Sequence, residues 1–264
     1  MTALAHVVVT GAAGAIGGAI ARALRTTYPA CDLALVDRDA DALARTAAAL
    51  ADGASPTGAI RTHVADLADL DALPALIDAI NAHGAIDGLV NCAGVMRVQH
   101  VGSHAWRDAE RLLAIDLLAP LRLQELVVHG MIERGRGAIV NVASMAGRVP
   151  LRGCAYYGAA KAGLAMASEV ARADLAAYGV RVVAVYPGPV RSALEQGARD
   201  DYGGGGMFAK LAPVGDPDEL GRKIVRAISD DEPRVIYPRS YELGWTAPNL
   251  SRWIALGYGP SPMH

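Results

Sequence analysis

Short, almost wholly apolar runs alternate along this chain with longer amphipathic stretches. Leu33-Ala34-Leu35-Val36, Gly88-Leu89-Val90 and Val180-Arg181-Val182-Val183-Ala184-Val185 carry one polar side chain between them. A strand covered on both faces has this composition. Such runs predict strands at 6–10, 32–37, 58–64, 86–92, 137–143, 180–186 and 233–237. The intervening periodicity predicts helices at 15–27, 39–51, 69–82, 105–133, 154–178 and 216–229. Strand–helix alternation favours parallel pairing through crossovers, so the expected fold class is α/β. It is a doubly wound parallel sheet of about seven strands with helices on both faces. Neither an internal repeat nor a linker interrupts the pattern, so residues 1–264 read as a single domain.

Bulk properties exclude several functions. Apolar residues make up 52% of the 264 residues, which argues against disorder. The net charge is −2, and Lys and Arg form no stripe, so neither nucleic acid nor an anionic membrane is an expected partner. No apolar run approaches the roughly 18 residues of a membrane span. The N-terminus enters a strand within about five residues, without a basic region and apolar stretch, so no signal peptide is expected. Cys31, Cys92 and Cys154 fit neither a disulfide framework nor a zinc spacing. A reduced, cytoplasmic setting follows as the expectation.

Two stretches break the rhythm. Residues 191–213 contain Gly203-Gly204-Gly205-Gly206, which holds no regular element firmly, and they follow a strand end where a substrate lid belongs. Residues 240–264 form a tail in which Pro248 can open a helix carrying Leu250, Trp253 and Ile254 as an apolar stripe.

A nucleotide site is legible near the start. Val7-Val8-Val9-Thr10-Gly11-Ala12-Ala13-Gly14-Ala15-Ile16-Gly17 reads as strand, glycine turn and helix. Glycines at 11, 14 and 17 let the backbone approach a pyrophosphate while the helix aims free N–H groups at it. The second strand ends in Asp37, about 20 residues past the last glycine, where a carboxylate can bind an adenosine ribose and repel a 2′-phosphate. That selects NAD over NADP. The neighbouring Arg38 keeps NADP open, and Asp37 can also be read as a turn residue or helix cap.

Tyr157 and Lys161, at i and i+4 on one helix, share a face. An ammonium beside a phenol favours phenolate, which can lower the phenol pKa from about 10 and make it a proton-transfer group. Upstream, Ala138-Ile139-Val140-Asn141-Val142-Ala143-Ser144 reads as a buried strand ending in a hydroxyl. Nucleotide loop, strand-end serine and Tyr/Lys helix come in that order.

Together these residues resemble the short-chain dehydrogenase/reductase family, in its classical branch, over about residues 5 to 238. The resemblance implies a Rossmann-type fold and an NAD(P)-dependent enzyme acting on CH–OH donors. Thr10 to Gly17, with Ile16, resembles the cofactor loop. Asp66, followed by Leu67, matches an adenine-contacting position. Asn91-Cys92-Ala93-Gly94 resembles Asn-Asn-Ala-Gly. Pro187-Gly188-Pro189-Val190-Arg191-Ser192 resembles the segment that shapes the nicotinamide pocket. By the same resemblance Tyr157 exchanges a proton with the substrate oxygen. Ser144 hydrogen-bonds that oxygen, and Lys161 binds the nicotinamide ribose and lowers the Tyr157 pKa.

Two departures stand out. The middle glycine sits at 14 and position 15 is Ala, a spacing shared with the extended branch and its epimerases and dehydratases. The chain length, Asn91 to Gly94 and the Pro187 segment favour the classical branch. Second, the catalytic Asn of the family falls at Asp116, and no Asn occurs between Asn91 and Asn141. An Asp there can hold water and, if ionised, alters the pH profile.

Other candidates have plainer readings. Asp87 ties a loop. His100 and His104 stand on the substrate side without metal-ligand company, Cys154 packs or touches substrate, and Trp245, Trp253 and Tyr258 cover the core, a subunit interface or the pocket. The expected function is NAD(H)-dependent interconversion of a secondary alcohol and a ketone on an apolar small molecule, with Leu194, Met207, Phe208, Leu211 and Trp245 lining the pocket. The alternatives are an NADPH-dependent carbonyl reductase and a nucleotide-binding scaffold impaired at Asp116. No metal is expected. The family resemblance further implies a homodimer or homotetramer paired through the helices at 105–133 and 154–178, which are long and Ala-rich enough to pack closely.

Overall fold

A computed structural model of the chain describes residues 4–52, 57–202 and 213–262. The glycine run at 203–206 and the expected pocket residues Met207, Phe208 and Leu211 lie outside them, as does the Tyr258 side chain. Seven strands form one parallel sheet: β1 (His6–Thr10), β2 (Asp32–Asp37), β3 (Ile60–Val64), β4 (Gly88–Asn91), β5 (Gly137–Val142), β6 (Val180–Pro187) and β7 (Arg234–Tyr237). Their order is β3-β2-β1-β4-β5-β6-β7. The chain winds outward from β1 to β3, then crosses back to place β4 beside β1. The two strands diverge in connectivity there, and a crevice opens at their carboxyl ends.

Alternate strand residues feed two cores. Val7, Val9, Leu33 and Leu35 join Ile20, Leu24, Leu220 and Ile224 on one face. Val8, Ala34 and Val36 join Leu73, Ile80, Leu123 and Met131 on the other. The first face is covered by α1 (Ala15–Thr27), α2 (Ala40–Ala51) and α8 (Pro217–Asp230), the second by α3 (Leu73–Asn81), α5 (Ala119–Glu133) and α6 (Ala155–Leu175). Each fully buried Leu or Ile contributes about 1.5–3 kcal/mol, so both faces of the sheet must be roofed. α1 and α8 approach closely because position 221 is Gly, where a Cβ would stand 2.6 Å from Ala19 O.

Two departures from the expected elements matter for the site. The helix expected over 105–133 is α4 (Trp106–Leu113), a π-helical turn at Ala114–Leu118, and α5. The stretch from 191 also begins as a helix, α7 (Ala193–Asp201), rather than as an irregular loop. Ser192 caps it by accepting the Glu195 N–H at 3.1 Å, and Glu195–Arg199 and Gln196–Asp200 pair at i, i+4. The glycines begin only beyond it. The tail folds as α9 (Glu242–Thr246) and α10, which Pro248 opens as expected (Pro248–Tyr258). No helix among the described residues is long and apolar enough to cross a membrane.

Candidate active site

The glycine turn is dictated by close backbone approach. Gly11 has φ +66, and a Cβ there would lie 2.7 Å from Ala93 Cα. A Cβ on Gly17 would lie 2.1 Å from Gly11 O. Gly14, exposed at the mouth of the turn, is the N-cap of α1 with no side-chain cap, so the first N–H groups of α1 remain available to an anion. Thr10 ties the turn to β4: its hydroxyl donates to Val90 O (3.3 Å) and accepts the N–H groups of Cys92 (3.1 Å) and Ala93 (3.2 Å). These residues fit a dinucleotide's pyrophosphate.

Asp37 stands at the end of β2 beside this turn. Its Oδ2 accepts the Ala13 N–H at 3.0 Å and its Oδ1 accepts the Asp39 N–H at 3.2 Å. Asp39, not Asp37, caps α2. Arg38 is exposed next to it. Asp66 accepts the Ala68 N–H (3.0 Å) and pairs with Arg111 at 2.8 Å, and the Arg111 hydrogen bond holds its carboxyl below the usual range. Leu67 is buried. Arg111 was invisible to sequence reasoning, because nothing local joins α4 to the end of β3.

Asn91, at the end of β4, is buried. Its amide donates to Asn141 Oδ1 (2.8 Å) and Pro120 O (3.2 Å), so its side chain is committed to the core rather than turned to a cofactor. Asn141 in turn donates to Ser168 Oγ (2.9 Å) and Gln124 Oε1 (3.2 Å). This buried network fastens β4, β5, α5 and α6 together.

Those elements bring Ser144, Tyr157, Lys161 and Asp116 to one place. Ser144 follows β5 by two residues and caps a short 3₁₀ turn, accepting the Ala146 N–H at 3.1 Å. That turn rests on α6: a Cβ at Gly147 would stand 2.7 Å from Ala162 N. Tyr157 and Lys161 lie on the buried face of α6. Lys161 Nζ donates to Val142 O at 3.0 Å and lies 3.8 Å from Asp116 Oδ2 and 5.9 Å from the Tyr157 ring centre. Asp116 is fully buried. Its Oδ1 accepts the Val95 N–H at 2.8 Å, and its Oδ2 has no hydrogen-bond partner among the described residues. The π turn swings Asp116 inward, since an extra residue in one turn rotates the side chains that follow. A Cβ on Gly94 would lie 3.4 Å from both Asp116 Oδ1 and Lys161 Nζ.

The electrostatics differ from the expectation at Tyr157. Its phenol is pushed well up, first by burial and then by the Asp116 charge, with a Ser144 hydrogen bond pulling the other way. Lys161 donates to Val142 O and faces Asp116 rather than the phenol, whose ring centre is 5.9 Å away. Burial likewise pushes the Asp116 carboxyl up to about 6, against the pull of Lys161 and the Val95 N–H.

Ser144, Tyr157 and Lys161 line a cavity of about 520 Å³, with Asp116 buried beside Lys161 and outside the lining. Ile16, Cys92, Gly94, Pro187, Gly188, Val190 and Ser192 line its cofactor side; Leu194 and Tyr202 of α7 and Leu243 and Ile254 of the tail line the far side. Trp245 is not in this lining. It packs on Tyr186 (ring centres 4.6 Å apart), with Arg148 and Arg234 each 4.7 Å from its ring, so it covers the core. His100 lines a different cavity, His104 packs edge-on against Tyr156 (5.1 Å), and Cys154 is buried beside the Tyr202 hydroxyl (3.5 Å). Asp87 accepts the Ala5 N–H (3.1 Å), tying a loop. No three His, Cys, Asp or Glu among the described residues are grouped to hold a metal.

Comparison with known proteins supports the geometry. The family model described as short chain dehydrogenase matches residues 5–203. The D-threitol dehydrogenase of Mycolicibacterium smegmatis is 38% identical over 226 residues, covering 84% of this chain and 85% of that one. The cis-4-hydroxycyclohexanecarboxylate dehydrogenase of Sinomonas cyclohexanicum is 36% identical, covering 84% and 88%. A solved short-chain dehydrogenase from Sphingobium yanoikuyae in complex with NADPH superposes with a TM-score of 0.77 at 29% identity, over 97% of this chain and 96% of that one.

Proposed function

The chain belongs to the short-chain dehydrogenase family, and on that premise we propose that it interconverts a secondary alcohol and a ketone with NAD(H), on a substrate with an apolar body. The observation that carries this reading is the convergence of Ser144, Tyr157 and Lys161 on the wall of a cavity that opens beside the glycine turn, with Asp116 buried next to Lys161. A scaffold role leaves that convergence unexplained.

Gly11, Gly14, Ile16, Gly17, Asp37, Asp66, Ala93, Gly94, Pro187, Gly188, Val190 and Ser192 would hold the dinucleotide. The nicotinamide, when bound, supplies the hydride acceptor or donor. Ser144 orients the substrate oxygen. Tyr157 gives its phenolic proton to a carbonyl oxygen, or takes the proton of an alcohol. Its raised pKa keeps it protonated at neutral pH, which suits donation; taking a proton requires phenolate and therefore higher pH. Lys161 is held at the pocket floor by Val142 O and Asp116.

NAD is favoured over NADP by the Asp37 carboxylate beside the turn, which would repel a 2′-phosphate. The exposed Arg38 and the NADPH complex of the Sphingobium protein favour the second reading, an NADPH-dependent carbonyl reductase. Val149, Leu151, Leu194, Leu243 and Ile254 around the cavity favour a hydrocarbon body, closer to the cyclohexane alcohol named for one relative than to the polyol named for the other.

Calorimetric titration of cofactor-free protein with NAD and then NADP, followed by an alcohol screen with Tyr157→Phe as control, tests the reading. Tight NAD, weak NADP and Tyr157-dependent turnover support it. Tighter NADP moves the weight to the reductase, and binding of neither sinks both.

A further inference from the structure

The far wall of the cavity is not held by the sheet. It is formed by α7 and by the tail helices, and both are fastened to one turn, Leu151–Cys154, directly ahead of α6. Arg152 reaches from this turn to the tail with both ends of its guanidinium: Nη2 donates to Leu256 O, and Nη1 donates to Ser261 Oγ at 2.8 Å. Its own carbonyl accepts the Tyr202 hydroxyl at 2.6 Å, at the end of α7. Gly153 takes φ +77, where a Cβ would stand 2.8 Å from Val98 and 3.0 Å from Pro262, so the tail end is pressed against the turn. The Gly153 carbonyl accepts the Gln99 N–H at 2.9 Å, which anchors the turn to the segment after β4. Leu243, Ile254 and Ala255 of the tail and Tyr202 of α7 all line the cavity.

We propose that Arg152 is a specificity-determining positioning residue: by clasping Leu256 and Ser261 it sets how closely the tail roofs the substrate cavity, and so which substrate bodies fit. It acts through the tail. Arg152 is exposed, lies outside the cavity lining and touches none of Ser144, Tyr157 or Lys161. A planar guanidinium suits the task because it can hold two separated acceptors at once, whereas an ammonium is a single point of attachment. The backbone carbonyl of Leu256 and the hydroxyl of Ser261 are neutral, so the clasp reads geometry rather than charge. The part of this inference that concerns substrates rests on the proposed dehydrogenase reading; the part that concerns the tail does not.

The test compares the wild-type full chain with Arg152→Ala, Arg152→Lys and Ser261→Ala. Hydrogen exchange of residues 248–262 is measured first. Loss of two charge-assisted bonds is expected to speed exchange there by on the order of tenfold in Arg152→Ala, with smaller increases in the other two. Unchanged exchange overturns the clasp. The second readout is kcat/KM over a series of ketones with growing alkyl substituents. Arg152→Ala is expected to change the ratio between bulky and small members by about fivefold or more, through KM, at unchanged NAD affinity. An equal fall across the series, or a fall in kcat alone, overturns the specificity role. If the wild type reduces no ketone and oxidises no alcohol, the dehydrogenase reading and the specificity role fall together, and the exchange result still decides whether Arg152 holds the tail.

Discussion

Asp116 Oδ2 faces Lys161 Nζ across 3.8 Å in the interior beside the cavity, too far for a direct hydrogen bond, and neither side chain is more than 5% exposed. The carboxyl is tuned by burial against that ammonium to about 6, and its charge raises the Tyr157 phenol. A carboxylate where the family carries an amide therefore couples a second titration to the Tyr157 phenol.

Asp116→Asn removes that charge. Above about pH 6 the wild-type Asp116 is ionised and opposes phenolate formation. The asparagine does not, so the phenol titrates lower in the variant. Alcohol oxidation needs the phenolate, and the ascending limb of its kcat/KM profile is expected to move to lower pH by on the order of one unit. A limb that stays in place refutes the coupling.

The same group sets a stability window. The Asp116 pKa in the folded protein lies above the ordinary value of 3.8, so the folded state binds more protons between that value and about 6. Its contribution is fully present below 3.8 and is lost as pH rises through about 6. Urea unfolding from pH 4 to pH 7 is expected to show a loss of about 2 kcal/mol in the wild type that Asp116→Asn lacks. Parallel curves for the two proteins contradict this.

Asp37→Asn keeps an acceptor for the Ala13 N–H while removing the negative charge. The affinity ratio of NADP to NAD is expected to rise on the order of tenfold, read by calorimetry. No change would place cofactor choice elsewhere, with Arg38 the next residue to replace.

Gly17→Ala sets a Cβ 2.1 Å from Gly11 O, a backbone atom that cannot turn aside. The turn has to open, at a cost of about 2–4 kcal/mol, and NAD affinity falls with it. Gly14→Ala meets only Gly11 O, at 3.2 Å, and is expected to keep a near-wild-type Tm. Equal thermal shifts in the two variants would show that backbone proximity is not what the glycines supply.

Asn141→Ala removes the Asn141 hydrogen bonds to Asn91, Ser168 and Gln124 in the core, while Asn91 still donates to Pro120 O and Ser168 to Leu164 O. A buried hydrogen bond contributes about 0.5–1.5 kcal/mol, so the loss of three is expected to cost about 3 kcal/mol, against about 1 kcal/mol for Ser168→Ala. Denaturant midpoints at constant m value measure both. A loss under 1 kcal/mol for Asn141→Ala would show that the network contributes little.

The strand and helix pattern was readable because parallel strands roofed on both faces leave dense apolar runs, and helices leave a 3.6 period. Both signals are local. The start of α1 at Ala15 and the opening of α10 by Pro248 were legible for the same reason. α7 was not, because it buries no residue and its capping by Ser192 was masked by the glycines that follow. The π turn at Asp116 left no mark either, since one extra residue within a long helix barely disturbs its periodicity.

Residue order alone therefore determined the doubly wound sheet, the glycine turn with Asp37, and the set Ser144, Tyr157, Lys161 and Asp116, because each rests on neighbours within a few residues or on strand ends that such a sheet must align. The tertiary structure decided what surrounds them. It turned Asn91 into the core, paired Asp66 with Arg111, and directed the Lys161 ammonium to Val142 O and toward Asp116 rather than the phenol. It also laid the tail, bonded to Arg152, along the cavity. Those outcomes depend on burial and on contacts between residues far apart in the chain, and a pKa or a pocket wall exists only once such residues have been brought together.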